Sequence, residues 1–167
     1  MLSLQSHYPS YLNHEVIRTL LTEFDPEVVG VCFDTGHGNC LPNGLDFARE
    51  FNDRIIAVHL NDNLGAVNNN ATDEDASAGD RHMLLYSGTV NWADIADVLC
   101  HSPYFTLEGG PINMEIGHRR HPEIKDANVF LDRAYETGMQ FAEELERARM
   151  RAELKKQQPN DVKNCSL

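Results

Sequence analysis

"VVGVCFDTGHGN", Val28–Asn39, is the stretch on which the fold turns. Val28 to Phe33 is short, rich in β-branched residues and almost continuously apolar, as a strand covered on both faces of a parallel sheet must be. The run stops at Asp34, and His37 comes after the small residues Thr35 and Gly36, which let the chain turn so that both side chains face one mouth. The arrangement then recurs. "RIIAVHL", Arg54–Leu60, reads as a second buried strand with His59 near its end, and "PINMEI", Pro111–Ile116, as a third, short strand with Glu115 near its end. In "GDRH", Gly79–His82, Asp80 and His82 flank Arg81, so an extended segment would turn both the same way.

Helical patterns separate these runs. Apolar residues at helical spacing (Val16, Leu20, Leu21, Phe24) predict a helix from Tyr11 to Phe24 with Asn13 as its N-cap, ended by Pro26. "LDFAREF", Leu45–Phe51, predicts a short helix, and Trp92–Leu99 another behind the cap Asn91. From Ile124 to Lys156, Ala127, Phe130, Ala134, Gly138, Phe141 and Leu145 form one face of a long helix. The polar segment Asn61–Asp80 has no apolar periodicity and reads as a loop. Strands alternating with helices predict an α/β fold with about three parallel strands and covering helices, in one domain over residues 1–158 and a flexible tail over 159–167.

Composition narrows the function. The chain has 167 residues, 41% hydrophobic and 24% charged, in the range of one globular domain. A net charge of −12 argues against broad attraction to a nucleic-acid backbone. No apolar run approaches the roughly 20 residues of a membrane span, and the opening "MLSLQSHYPS" lacks the basic and apolar regions of a secretory signal. Cys32, Cys40, Cys100 and Cys165 form no CxxC pair, which suits reduced thiols and a cytoplasmic location.

Each polar residue has an ordinary explanation when taken singly. Asp34 suits a turn or cap, His59 a core histidine, Asp80 a charged loop and Glu115 a solvated strand end. Taken together, at equivalent ends of successive strands, they are better explained by a shared cation, since carboxylate oxygen with imidazole nitrogen suits zinc, manganese or cobalt.

In this order, "CFDTGHGN", "IAVHLNDN", "GDRH", "GTVNW" and "NMEIG" resemble the carboxyl-terminal part of the xylose isomerase-like TIM barrel superfamily over Val28–Gly117. That superfamily includes sugar-phosphate isomerases and epimerases and the endonuclease IV group of AP endonucleases (AP endonuclease family 2). The resemblance implies a partial (β/α)8 TIM barrel and a divalent metal (Mn, Zn, Co or Mg) held by Asp34, His59 and Glu115, with Glu115 also serving as acid or base. His37 would contact a substrate oxygen in isomerase-like members, or join Asp80 and His82 around another zinc in endonuclease-like ones.

The sequence departs from the family in two ways. Tyr86 stands where the family has a turn glycine, and because tyrosine takes a positive φ only at a cost, the turn is expected to differ or Tyr86 to fill a pocket. A full barrel needs about 250 residues. The chain is therefore expected to begin with the helix after the strand that supplies the family's further glutamate.

These features imply a metal-dependent sugar or sugar-phosphate isomerase or epimerase working through an enediolate. The alternatives are a zinc-dependent AP endonuclease-like phosphodiesterase, against which the acidic Asp73-Glu74-Asp75 stands, and a catalytically inactive metal-binding or association remnant. The expected partner is a second copy in a homo-oligomer, or a missing barrel half.

Overall fold

The computed structural model describes residues 2–5, 14–41, 43–65, 78–106 and 109–157. One sheet contains β1 (Leu2–Gln5), β2 (Val29–Asp34) and β3 (Ile55–His59), side by side in that order with both pairings parallel. The helices are α1 (His14–Glu23), α2 (Thr35–Cys40), α3 (Gly44–Glu50), α4 (Trp92–Leu99), α5 (Pro103–Thr106) and α6 (Ala127–Gln157). The α/β class and the parallel sheet agree with the sequence reading; Asn13, Asp73-Glu74-Asp75, Cys165 and the tail lie outside the described residues.

β2 is buried along its whole length, as its apolar run requires. Its register with β3 decides which polar residues face each other at the strand ends. Val31 pairs with Ile55 but Cys32 with Ala57, so Ile56 is an extra residue in β3. Beyond this bulge Asp34 lies opposite His59; an uninterrupted register would have set it opposite Val58. Gly30 makes room for the bulge, because a β-carbon there would come within 2.6 Å of the Ile56 side chain and 2.9 Å of the Arg54 carbonyl.

Two expectations about the strands need correction. The chain does not begin with the helix after the family's glutamate strand: Leu2–Gln5 forms β1, and the residue at its carboxyl end is an amide, Gln5. Nor is Pro111–Ile116 a full strand. It meets β3's extension at one parallel bridge, Leu60 with Met114, where Leu60 N donates to Asn113 O (2.9 Å) and Glu115 N to Leu60 O (3.0 Å). Pro111 has no N–H to give, and the Val58 carbonyl is taken by the Asn113 side chain instead of a backbone donor (2.8 Å). The sheet direction is kept there without a ladder.

The covering helices pack on a main core, with a smaller apolar cluster of Leu84, Ile124, Phe130 and Ala134 beside it. Ile17 and Leu21 of α1, Phe47 and Ala48 of α3, Trp92, Ile95 and Leu99 of α4, and Phe141 and Leu145 of α6 are buried around Phe33, Ile55 and Leu60. The Trp92 and Phe141 rings meet edge to face at 5.2 Å, joining α4 to α6. Arg54 donates to the carbonyls of Leu21 and Val29, tying the end of α1 to the start of β2. Cys32, Cys40 and Cys100 are free and buried, and burial pushes the Cys32 and Cys40 thiols up to about 12. No described helix is long and apolar enough to cross a membrane.

Tyr86 does not avoid the glycine conformation: its φ is +64°. The ring packs against Trp92 at 5.5 Å, and this contact offsets the backbone cost. Its hydroxyl is buried without a hydrogen-bond partner among the described residues, and burial pushes its pKa up to about 12. Tyr86→Phe keeps the ring and removes the orphaned oxygen, so it is expected to stabilise the protein by about 1 kcal/mol, read as a higher urea midpoint. A lower midpoint would mean that the hydroxyl has a partner.

Candidate metal centre

Asp34 works at both ends of its carboxylate. Oδ1 accepts from Gly36 N (2.9 Å) and His37 N (3.0 Å), capping α2, and from Asn61 Nδ2 (3.1 Å). The cap reading and the ligand reading of this residue are therefore compatible, since Oδ2 is left facing His37 Nδ1 (3.7 Å) and His59 Nδ1 (3.6 Å). Asp34 is fully buried. Glu115 joins from the segment beside β3, its Oε2 2.8 Å from His59 Nδ1. Asp34, His59 and Glu115 each offer an atom within 4.8 Å of the others'.

A second cluster adjoins the first. His37, Asp80 and His82 also offer atoms within 4.8 Å of one another, with Asp80 Oδ2 3.5 Å from His37 Nε2 and 3.3 Å from His82 Nε2. His37 faces Asp34 with one ring nitrogen and Asp80 with the other, so it connects the two groups. The strand-like alternation expected for Asp80 and His82 is not what brings them together. His82 has φ +46°, a turn conformation, and its Nδ1 lies 3.0 Å from the Glu115 carbonyl oxygen.

The six residues named from the sequence therefore stand in two adjacent groups, while Gln5 was missed. Its Nε2 lies 3.1 Å from Asp34 Oδ2, 3.3 Å from His59 Nδ1 and 3.4 Å from His37 Nδ1. The alternation Leu2-Ser3-Leu4-Gln5 was the available signal, over only four residues. Also missed was the polar layer beneath the site. Thr35 Oγ1 donates to Asn61 O (2.7 Å), Asn63 Nδ2 to Gly36 O (2.7 Å), and Asp62 accepts from Val90 N (3.1 Å) and Trp92 Nε1 (3.0 Å). Asn61, Asp62 and Asn63 are all fully buried, and they hold the loops after β2 and β3 in place. Gly36 fits against Asn61 only because it lacks a β-carbon, which would lie 2.0 Å from Asn61 Oδ1.

The donor chemistry suits a divalent cation. Two carboxylates and an imidazole supply hard oxygen and borderline nitrogen, donors of the kind that ligate divalent ions. Without a cation, Asp34 and His59 favour each other's charged forms. Burial pushes the Asp34 carboxyl up, but hydrogen bonding with His59, the His37 charge and N–H, and Asn61 together outweigh it and hold the pKa below the usual carboxylate range. His59 is raised chiefly by its hydrogen bond with Asp34, against a smaller effect of burial.

These shifts set a pH window for the metal-free protein. Asp34, being lowered, contributes stability that is present above its ordinary 3.8 and lost as pH falls through its folded value. His59, being raised, contributes stability that is present below its ordinary 6.5 and lost as pH rises through its folded value. The chelator-treated protein is thus expected to show its highest urea midpoint between those two limits. His59→Gln should flatten the alkaline side, and an unchanged alkaline slope in that variant would contradict the pairing.

Residues 2–151 match the family model described as "Xylose isomerase-like TIM barrel". The chain is also similar to "Uncharacterized protein y4fM" of Sinorhizobium fredii (strain NBRC 101917 / NGR234), with 28% identity over 134 residues. That alignment covers 80% of this chain and 37% of the relative, so the chain spans well under half of that protein's length. No solved structure matches.

Proposed function

The chain belongs to the xylose isomerase-like TIM barrel family, and from that premise we propose that it is a divalent-metal-dependent isomerase or epimerase of a sugar or sugar phosphate. The observation that carries this reading is the convergence of Asp34, His59 and Glu115 within 4.8 Å of one another, from the ends of β2 and β3 and the segment beside them.

Asp34, His59 and Glu115 would hold the cation, which when bound polarises a substrate carbonyl and stabilises charge on the neighbouring oxygen. The residues divide the remaining work. Asp34 is fixed by three N–H donors and fully buried, so it serves as a stationary ligand. Glu115 has a half-exposed side chain with His59 beside it, which supports a role in taking a proton from the carbon next to the carbonyl and returning it. Gln5 reaches the same place but carries no exchangeable carboxyl proton, so the proton transfer falls to Glu115.

The adjoining His37, Asp80 and His82 favour a second reading, a zinc-dependent AP endonuclease-like phosphodiesterase, in which this group holds a further zinc. The net charge of −12 speaks for the small-molecule reading over it. A third reading is an inactive metal-binding or association remnant, in which the two side-chain clusters bind without turnover. On any of the three, the outer edge of β1 has no strand beside it among the described residues, which suits completion by a second copy or by a further barrel half.

Metal analysis of the purified protein, then a ketose and ketose-phosphate panel beside an abasic-site oligonucleotide, separates these readings. Turnover of a ketose that is lost on chelation supports the proposal. Cleavage of the oligonucleotide alone selects the second reading, and bound metal without turnover on either selects the third.

A further inference from the structure

We propose that Arg119 and Arg120 form an anion anchor that takes the phosphate group of a phosphorylated sugar. The inference rests on the isomerase reading above and narrows its substrate class from sugars in general to sugar phosphates.

A shallow, open depression of about 600 Å³ lies beside the candidate metal centre, lined by His82, Glu115, Ile116, Gly117, His118, Arg119 and Arg120. That volume is in the range that admits a small molecule. It contains residues of both candidate clusters, Glu115 and His82, and its rim carries two adjacent guanidinium groups.

The turn bearing these arginines, His118–Arg120, is pinned on both sides. The His118 ring stacks on Phe130 at 5.0 Å, and its Nε2 lies 2.8 Å from the Ile124 carbonyl oxygen. His121 is buried, accepts from Leu84 N through Nε2 (2.9 Å) and faces Glu123 through Nδ1 (3.0 Å). At the near end Gly117 N donates to His82 O (2.9 Å), which couples the turn to the second cluster. Both histidines are used inward, and Arg119 and Arg120 are left facing solvent.

Their side chains make no ion pair or hydrogen bond among the described residues. This contrasts with Arg18, Arg49, Arg147, Arg149 and Arg151, each paired with a carboxylate. In a chain of net charge −12, two free guanidiniums on a rigid turn at the rim of this depression form a local positive site. A phosphate monoester carries about −1.5 to −2 at neutral pH, which two arginines match in charge, each offering a forked set of donors. A neutral sugar would take hydrogen bonds from them but leave their charge unmatched.

The test is calorimetric titration of inorganic phosphate into metal-loaded and chelator-treated protein, with Arg119→Gln/Arg120→Gln and, as a charge control, Arg133→Gln on α6. Wild type is expected to bind phosphate in both states, the double variant at least about tenfold more weakly, and the control unchanged. Metal content should be the same in all three proteins. A pentose 5-phosphate should bind better than the free pentose, by a margin that disappears in the double variant. Absence of phosphate binding by wild type, undiminished binding by the double variant, or an equal loss in the control would each overturn the anchor. So would a double variant that loses affinity only for the abasic oligonucleotide. Because phosphate is read without metal as well, a protein that binds phosphate through these arginines but holds no cation would sink the isomerase reading and leave the anchor standing.

Discussion

Asp34→Ala is expected to emerge from purification with its central divalent ion gone and with a metal-free fold weakened by roughly 2–4 kcal/mol. The two losses have separate causes. Oδ2 is the fully buried oxygen that faces His59 and His37, so removing it takes away the proposed ligand held most firmly in place. Oδ1 accepts three N–H donors, and its loss uncaps α2 and strands the buried Asn61 amide. Asp34→Asn distinguishes the causes, because an amide oxygen still caps the helix while the negative charge is gone. That variant is expected to recover most of the urea midpoint but not the metal. Wild-type metal content in Asp34→Ala, measured by elemental analysis, would remove the common premise of both enzyme readings.

The largest purely structural loss is expected for Phe141→Ala, at about 3–5 kcal/mol. Phe141 is fully buried in α6 and meets the Trp92 ring of α4 at 5.2 Å. Against a total stability of roughly 5–15 kcal/mol for an ordinary domain, such a loss leaves little margin. The chain's single tryptophan reports the change directly, since a loosened Trp92 should shift its emission to longer wavelength. Trp92 Nε1 also donates to Asp62, which holds Val90 N, so the effect should extend into the loop after His82. Phe141→Leu should keep most of the stability, and an unshifted spectrum in Phe141→Ala would show that the two rings do not support each other.

Much of this arrangement was legible because two simple signals coincide. Continuous apolar runs locate β2 and β3, and a three-four stripe locates α6, because burial sets both patterns. The site residues stand out because a polar side chain at the end of a buried strand needs a partner. The bulge at Ile56 was not legible, since register depends on pairing between strands and nothing in Ile55-Ile56 differs from a regular run. β1 carries its alternation over only four residues, too few to separate it from chance. Asn61-Asp62-Asn63 reads as the start of a polar loop, yet all three are buried as a hydrogen-bonded layer, a role that composition alone does not signal. Of the two outcomes read for Tyr86, the altered turn is not found, since φ stays positive, and the ring instead packs against Trp92 as the pocket-filling alternative has it.

The extra residue at Ile56 also gives β3 a reserve of length. Deleting that one codon would join Ile55 to Ala57 and leave a regular ladder, in which Cys32 still faces Ala57 and Asp34 still faces His59. The strand would surrender a kink and leave a small void beside Gly30, while the carboxylate and the imidazole kept their places. A second deletion finds no such slack. It would draw the residues beyond His59 back by one position and trade the inward side of the strand for the outward one.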